Sequence, residues 1–165
     1  MHKIFRLANT EDLPEILILY QRAIKQMNAL NILQWDEIYP DDQTLSCDIE
    51  QRQMYLHIVG ARIAAAIVLN SEQDEQYKNG NWSISNNFGV VHRLCVHPDF
   101  GQSGLGKQMV LFAEKHFSNL NFSSVRLDAF SQNPISLHLY EKLGYKRVGQ
   151  IVFRKGDFVL FEKLL

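Results

Sequence analysis

The run Arg93-Leu94-Cys95-Val96-His97-Pro98-Asp99-Phe100-Gly101-Gln102-Ser103-Gly104-Leu105-Gly106-Lys107 constrains this chain more than any other stretch. A strand-like segment, Val90 to His97, stops at Pro98, enters a glycine-rich turn and opens a helix from about Gly104 to Asn119. Leu105, Met109, Phe112, Ala113 and Phe117 share one face of that helix. The first amides of a helix have no intrahelical acceptor, and the helix dipole adds partial positive charge there. Glycines let an anion come close to such a backbone. The pattern predicts a phosphate or pyrophosphate cradle, against the plainer alternative of a tight turn.

The rest of the chain bounds what surrounds this turn. Its 165 residues suit one domain, 1–165. Hydrophobic residues at 46% and charged residues at 21% are globular proportions and exclude a disordered chain. With 17 Lys plus Arg against 18 Asp plus Glu, the net charge is −1. No bulk basic field is available for nucleic acid or an anionic membrane. The longest mostly apolar run, Ile63 to Leu69, is far short of a membrane span. Met1-His2-Lys3-Ile4-Phe5-Arg6 leads into strand-like sequence without a signal-peptide core. Cys47 and Cys95 cannot make a disulfide framework, so a reduced, cytoplasmic protein is expected.

Lys3 to Leu7 reads as a strand, and Thr10 as the N-cap of a helix with Glu11 and Asp12 in its first turn. Leu13, Ile16, Leu17, Tyr20, Ile24 and Met27 recur at helical spacing. Leu30 to Ile38 is a second short helix or an irregular stretch, stopping at Pro40. Thr44 to Gln51 predicts another helix. Met54 to Val59 and Arg62 to Leu69 predict a hairpin around Gly60-Ala61. Ser71 to Phe88 is a long polar loop, and long loops in compact domains are often functional.

Ser123 to Phe130 is a strand, and Asn133-Pro134 starts a helix that Gly144 ends. Tyr145 to Phe153 and Asp157 to Leu164 form a closing hairpin around Lys155-Gly156. The order predicts an α/β (α+β) fold: a mixed, mostly antiparallel sheet of six to seven strands, with about four helices on both faces. Phe158 to Leu165 is expected to be an exposed edge able to pair with a second copy, giving a homodimer.

Gly101 to Lys107 also spells GxxxxGK, nearly a nucleotide-triphosphatase loop. Gln108 stands where that loop needs Ser or Thr for magnesium, and little chain remains for its downstream elements. A dinucleotide fingerprint fails at Met109, where its third glycine belongs.

The segment resembles the central motif of the GCN5-related N-acetyltransferases, the GNAT family: Gln/Arg-x-x-Gly-x-Gly/Ala after a strand. Asn133-Pro134-Ile135-Ser136-Leu137-His138-Leu139-Tyr140-Glu141-Lys142-Leu143-Gly144-Tyr145 resembles the family's second motif, Asn-x-x-Ala-x-x-Leu-Tyr-x-x-x-Gly-Phe/Tyr. Gly101 stands at the usual Gln/Arg position, with Gln102 one step late, and Ser136 replaces a small apolar residue. The resemblance implies acetyl-CoA as cosubstrate. Its pyrophosphate would lie on the amides of Gln102, Ser103, Gly104, Leu105, Gly106 and Lys107. Its pantetheine arm would run along Leu94-Cys95-Val96, pairing through Leu94 and Val96, which needs the two central strands to splay. Asn133 would reach the arm from the next helix. A non-catalytic acyl-CoA sensor of the same fold, or a small nucleotide-triphosphate-binding protein, are the rival readings.

The chemistry is acyl transfer to an amine. A lysine-like amine has a pKa of about 10.4, so its neutral form at pH 7 costs about 4.6 kcal/mol and a base is needed. The resemblance assigns Tyr140 as general acid for the thiolate. It makes Asp128 a candidate base, against a strand carboxylate held by a nearby cation. His92 is a second candidate base and acceptor-site residue.

Strand alternation puts His92 opposite Cys95 and His97, which argues against a metal site; Cys95 reads as a small core hydrophobe. Trp35-Asp36-Glu37 and Tyr39-Pro40-Asp41-Asp42 lie where the family borders its acceptor site. Trp35 and Tyr39 with these carboxylates suggest a cationic acceptor, against a solvated acidic turn with Trp35 packed inward. Tyr77 and Trp82 are further candidates for the acceptor mouth.

Overall fold

A computed structural model describes residues 3–165; Met1 and His2, the first two residues of the run expected to lead into a strand, lie outside the described residues. Seven strands form one mixed, mostly antiparallel sheet of order β1-β2-β3-β4-β5-β7-β6, with four α-helices among the described residues, as the sequence predicts. The chain divides into two compact units. One takes the residues up to Leu69 together with Arg93–Met109, and the other takes Asn70–His92 and Val110–Leu165.

In the first unit, β1 (Lys3–Leu7) pairs antiparallel with β2 (Met54–Val59), from Lys3↔Val59 to Leu7↔Tyr55. The chain leaves β1 through a one-turn 3-10 segment, Thr10–Asp12. Its cap is Asn9, one residue before the expected Thr10. The Asn9 side chain accepts from Glu11 N–H at 3.0 Å, and Asp12 accepts from Asn9 N–H at 2.8 Å. Arg6 explains the choice: its guanidinium grips both Asp12 oxygens at 2.7 and 2.8 Å, which orients the carboxylate. Helix α1 (Leu13–Ala29) follows and buries Ile16, Leu19, Tyr20 and Ala23.

Leu30 to Pro40 contains no helix. Asn31 turns left-handed (φ 58), and the Asp36 carboxylate accepts from the amides of Ile38 and Tyr39 at 3.1 and 3.2 Å. Helix α2 (Asp42–Glu50) is capped by Asp41, which accepts from Thr44 N–H at 2.9 Å. β2 and β3 (Arg62–Asn70) form the expected hairpin, with Gly60 left-handed at φ 65. Trp35, Leu45, Ile49, Met54, Leu56, Ala66, Val68 and Cys95 join the α1 residues in one core.

Strand β4 (Phe88–Val96) runs through both units. Its second half feeds a 3-10 turn, Pro98–Phe100, and then α3 (Leu105–Asn119). In the second unit, β4 pairs in parallel with β5 (Ser124–Phe130) over Phe88, Gly89 and Val90. β5 then pairs antiparallel with β7 (Gly156–Leu164), and β7 with β6 (Lys146–Phe153). The expected edge at Phe158 to Leu165 is therefore wrong: β7 is flanked on both sides, and Leu160 and Phe161 are fully buried. The edge strand on this side is β6, whose exposed positions carry Lys146, Arg147 and Gln150, charges and polar groups of the kind that blunt edges.

Helix α4 (Pro134–Lys142) begins at Asn133, whose side-chain carbonyl accepts from Ser136 N–H at 3.1 Å. It ends with Gly144 at φ 89, and the amides of Gly144 and Tyr145 return to Glu141 and Tyr140 at 3.0 Å each.

Gly89 is set by packing, since a Cβ there would lie 2.3 Å from the Phe117 ring. Gly89→Ala should destabilise the protein by about 1–3 kcal/mol in urea unfolding, with Phe117→Leu added to it restoring part of the loss. An unchanged midpoint for the single variant would contradict this close packing.

Candidate active site

The glycine turn is held rigidly at its entrance. His97 Nδ1 accepts from Asp99 N–H at 3.1 Å, and the amides of Phe100 and Gly101 return to His97 and Pro98 at 2.9 Å. Arg62 reaches over from β3, bonding Asp99 at 2.7 Å with its guanidinium 5.0 Å from the Phe100 ring centroid. The Ser103 hydroxyl donates to the Phe100 carbonyl.

Beyond that point the backbone opens. Gln102 (φ 60) and Gly104 (φ 76) are both left-handed, with Ser103 between them. Such alternation turns successive N–H groups toward one concavity. Among the described residues, the amides from Gln102 to Lys107 donate to no protein acceptor; the first return bond into the helix is Gln108 N–H to Gly104 at 3.1 Å. Leu105 is buried and anchors the turn, while Gln102, Ser103, Gly104 and Lys107 are exposed. A Cβ on Gly104 would meet nothing within 4 Å, so its outward side is open. A diphosphate fits this donor set. Gly101 has its own reason: a Cβ there would sit 3.1 Å from the Pro98 carbonyl, tighter than ordinary contact. That crowding disfavours the Gln or Arg common at this place.

Upstream, Arg93 interrupts β4 with a left-handed φ of 49. A residue with a Cβ pays about 1–3 kcal/mol to hold such a conformation. Its carbonyl accepts from the Tyr20 hydroxyl at 2.6 Å. Its guanidinium donates Nε to Asp48 at 2.7 Å, Nη2 to the other Asp48 oxygen, and Nη1 to the Tyr39 hydroxyl at 2.9 Å. Burial works against the charge, but Asp48 and Tyr39 outweigh it and hold the guanidinium protonated more firmly than usual. Burial likewise raises the Tyr20 phenol and the Cys95 thiol. Cys95 sits in the core, as its reading as a small hydrophobe expects.

Two carboxylates of the acidic cluster serve local structure, while Glu37 and Asp42 are exposed. Asp36 ties its own turn and Asp41 caps α2. Trp35 is 8% exposed and packs 5.6 Å from the Tyr20 ring, so it shows no face to an acceptor. Tyr39, at 39% exposure, is the aromatic of this stretch that reaches the surface.

The second unit gathers other candidates. The Tyr77 hydroxyl donates to Asp128 Oδ2 at 2.5 Å. Burial first, then the Asp128 charge, keep Tyr77 and Tyr140 protonated well above the ordinary phenol range. Tyr140 is 6% exposed and packs on the Tyr145 and Phe161 rings at 5.8 Å. Asn133 is buried and caps α4. His92 Nε2 faces two acceptors, Asn70 Oδ1 at 2.8 Å and the Glu72 carbonyl at 3.0 Å, so the neutral ring carries its proton on Nε2.

Tyr77 lines no mouth: it is 1% exposed beneath Trp82, whose indole stacks at 5.6 Å and donates to the Tyr77 carbonyl at 2.6 Å. Sequence reasoning missed the Tyr77–Asp128 bond, because nothing local couples residues so far apart in the chain. The loop bearing Tyr77 is strapped down. Arg126 lies between the Trp82 and Phe88 rings, at 4.2 and 3.7 Å, and bonds Gln73 and the Ile84 carbonyl. Glu162 accepts from the amides of Ser83 and Ile84 at 2.8 and 3.2 Å.

Among the described residues no helix is long and apolar enough to cross a membrane. Comparison with known proteins places these features. The model of the acetyltransferase (GNAT) family matches residues 18–145. The S-(2-succino)cysteine N-acetyltransferase of Bacillus subtilis (strain 168) is 26% identical over 163 residues, covering 96% of this chain and 93% of its own length. A GNAT-family acetyltransferase from Streptococcus agalactiae 2603 superposes with a TM-score of 0.86 at 21% identity, over 99% of this chain and 95% of that one. The PaiA N-acetyltransferase of Thermoplasma acidophilum, in complex with coenzyme A, gives 0.76 at 21% identity over the whole of both chains. Both motifs fall inside the matched span, and the chain belongs to the acetyltransferase (GNAT) family, as an acetyl-CoA-dependent N-acetyltransferase.

Proposed function

We propose that residues 1–165 act as one cytoplasmic catalytic domain that acetylates a primary amine of a small molecule or peptide by direct attack on the thioester. The observation that carries this reading is the row of unclaimed amides from Gln102 to Lys107. Acetyl-CoA supplies an activated acyl group when bound. The turn holds its diphosphate through backbone N–H groups, and the backbone of Leu94, Cys95 and Val96 holds its arm. The resemblance of the second motif to the family pattern assigns Asn133 and Tyr140, both on or capping α4, to the cofactor as well.

Asp128 is the group to receive the amine's proton, and Tyr77 holds its carboxylate in place. Tyr140 is the donor to the departing sulfur. Its phenol carries its proton at neutral pH, as a donor must beforehand, and burial with the Asp128 charge raises its pKa further. The α-amine of a cysteine-derived amino acid is the first acceptor to test, since the Bacillus relative bears that substrate in its name.

Thermal unfolding with acetyl-CoA and with ATP-magnesium separates this reading from nucleotide-triphosphate binding, because only a native-state ligand raises the melting temperature. Acetyl-CoA should raise it and ATP-magnesium should not. Release of free CoA over an amine panel then separates an enzyme from a silent sensor. Tyr140→Phe should lower kcat by about 100-fold or more with acetyl-CoA affinity unchanged; full turnover would eliminate Tyr140 as the acid. Gly104→Val should weaken acetyl-CoA binding at least about tenfold by calorimetry, since it strains a left-handed residue and fills the open side of the turn. Unaltered affinity would refute the cradle.

A further inference from the structure

Arg93 holds a conformation that side chains with a Cβ rarely adopt, in the middle of a nine-residue strand. Its side chain is clamped by Asp48, which is 5% exposed, and by Tyr39. Its carbonyl is clamped separately by the Tyr20 hydroxyl at 2.6 Å. Tyr20 is 1% exposed on α1, so water does not compete for that bond. The peptide joining Arg93 to Leu94 is planar and trans, and the carbonyl and N–H of such a unit point in opposite directions. Holding the oxygen on Tyr20 therefore also aims the Leu94 N–H, away from α1.

We propose that Tyr20, backed by Asp48 acting through Arg93, is a positioning residue for acetyl transfer: its hydroxyl locks the left-handed turn of β4 at Arg93 so that the Leu94 amide is aimed at the acetyl carbonyl oxygen. Charge develops on that oxygen as the amine attacks, and a donor aimed beforehand needs no reorganisation. The proposal rests on the acetyl-CoA reading above. It assigns no chemistry to Tyr20 itself, whose phenol keeps its proton throughout.

Tyr20→Phe removes one oxygen and leaves the packing volume. Expected is a fall in kcat of about 10- to 100-fold, with the KM for acetyl-CoA within about twofold of wild type. The infrared carbonyl band of bound acetyl-CoA labelled with 13C at the acetyl carbon should move toward its position in free solution. Asp48→Asn, which weakens the clamp one step further out, should give a smaller loss of the same kind. A folded Tyr20→Phe protein with wild-type kcat and an unmoved band overturns the proposal, even if its melting temperature drops, because a purely structural tyrosine would behave that way. If Tyr20→Phe does not fold, Asp48→Asn decides by the same two readouts. Wild-type protein is first titrated with acetyl-CoA: no binding there defeats the acetyl-CoA reading and this proposal together, whereas wild-type binding with unaffected variants defeats this proposal alone.

Discussion

The buried ion pair between Arg93 and Asp48 is the interaction on which the first unit depends. It joins β4 to α2, and through the same arginine it reaches Tyr39 and, by the backbone, Tyr20 on α1. A buried pair of this kind is weak evidence for net stability, because both charges had to leave water. Breaking it is a different matter, since the partner left behind is an uncompensated buried charge. Its value here is geometric: it holds a left-handed residue inside a strand and keeps it there.

The turn that follows shows the opposite strategy. There the side chains are small or solvent-facing, and the polar work is left to the main chain. His97, Arg62 and Ser103 stabilise the approach to the turn, so that the amides beyond it need not fold back on the protein. Backbone amides donate whatever side chain stands beside them, so a Gly at position 101 leaves the open amides of Gln102 to Lys107 in place. A Cβ at position 101 would lie 3.1 Å from the Pro98 carbonyl, a close approach that glycine avoids.

In the second unit the long polar segment between β3 and β4 is ordered by a few strong contacts. The Arg126 guanidinium between two aromatic rings and the Glu162 carboxylate on two loop amides fix it to strands β5 and β7. That segment carries Tyr77 to Asp128, and so supplies a buried phenol to the carboxylate proposed as base. Tyr77 lies buried beneath Trp82 in that segment and does not line an open mouth.

The strands, the helices, the glycine turn and the second motif were legible in the sequence because each depends on contacts within a few residues: period, cap, turn and dipole. Asn133, Pro134 and Gly144 bound α4 as their types require. Asn9 displaced Thr10 as cap because Arg6 oriented Asp12, and Trp35 turned inward because Tyr20 offered it a ring. Phe158 to Leu165 was misread as an edge because strand order depends on which hairpin face meets β5, information that an alternating pattern does not hold. The sequence alone therefore determined that a strand, a glycine turn and a helix would follow one another. Only the tertiary structure decided the left-handed backbone of Arg93, the Tyr77–Asp128 bond and the place of β7, since each joins residues distant in the chain and near one another only once the backbone has folded.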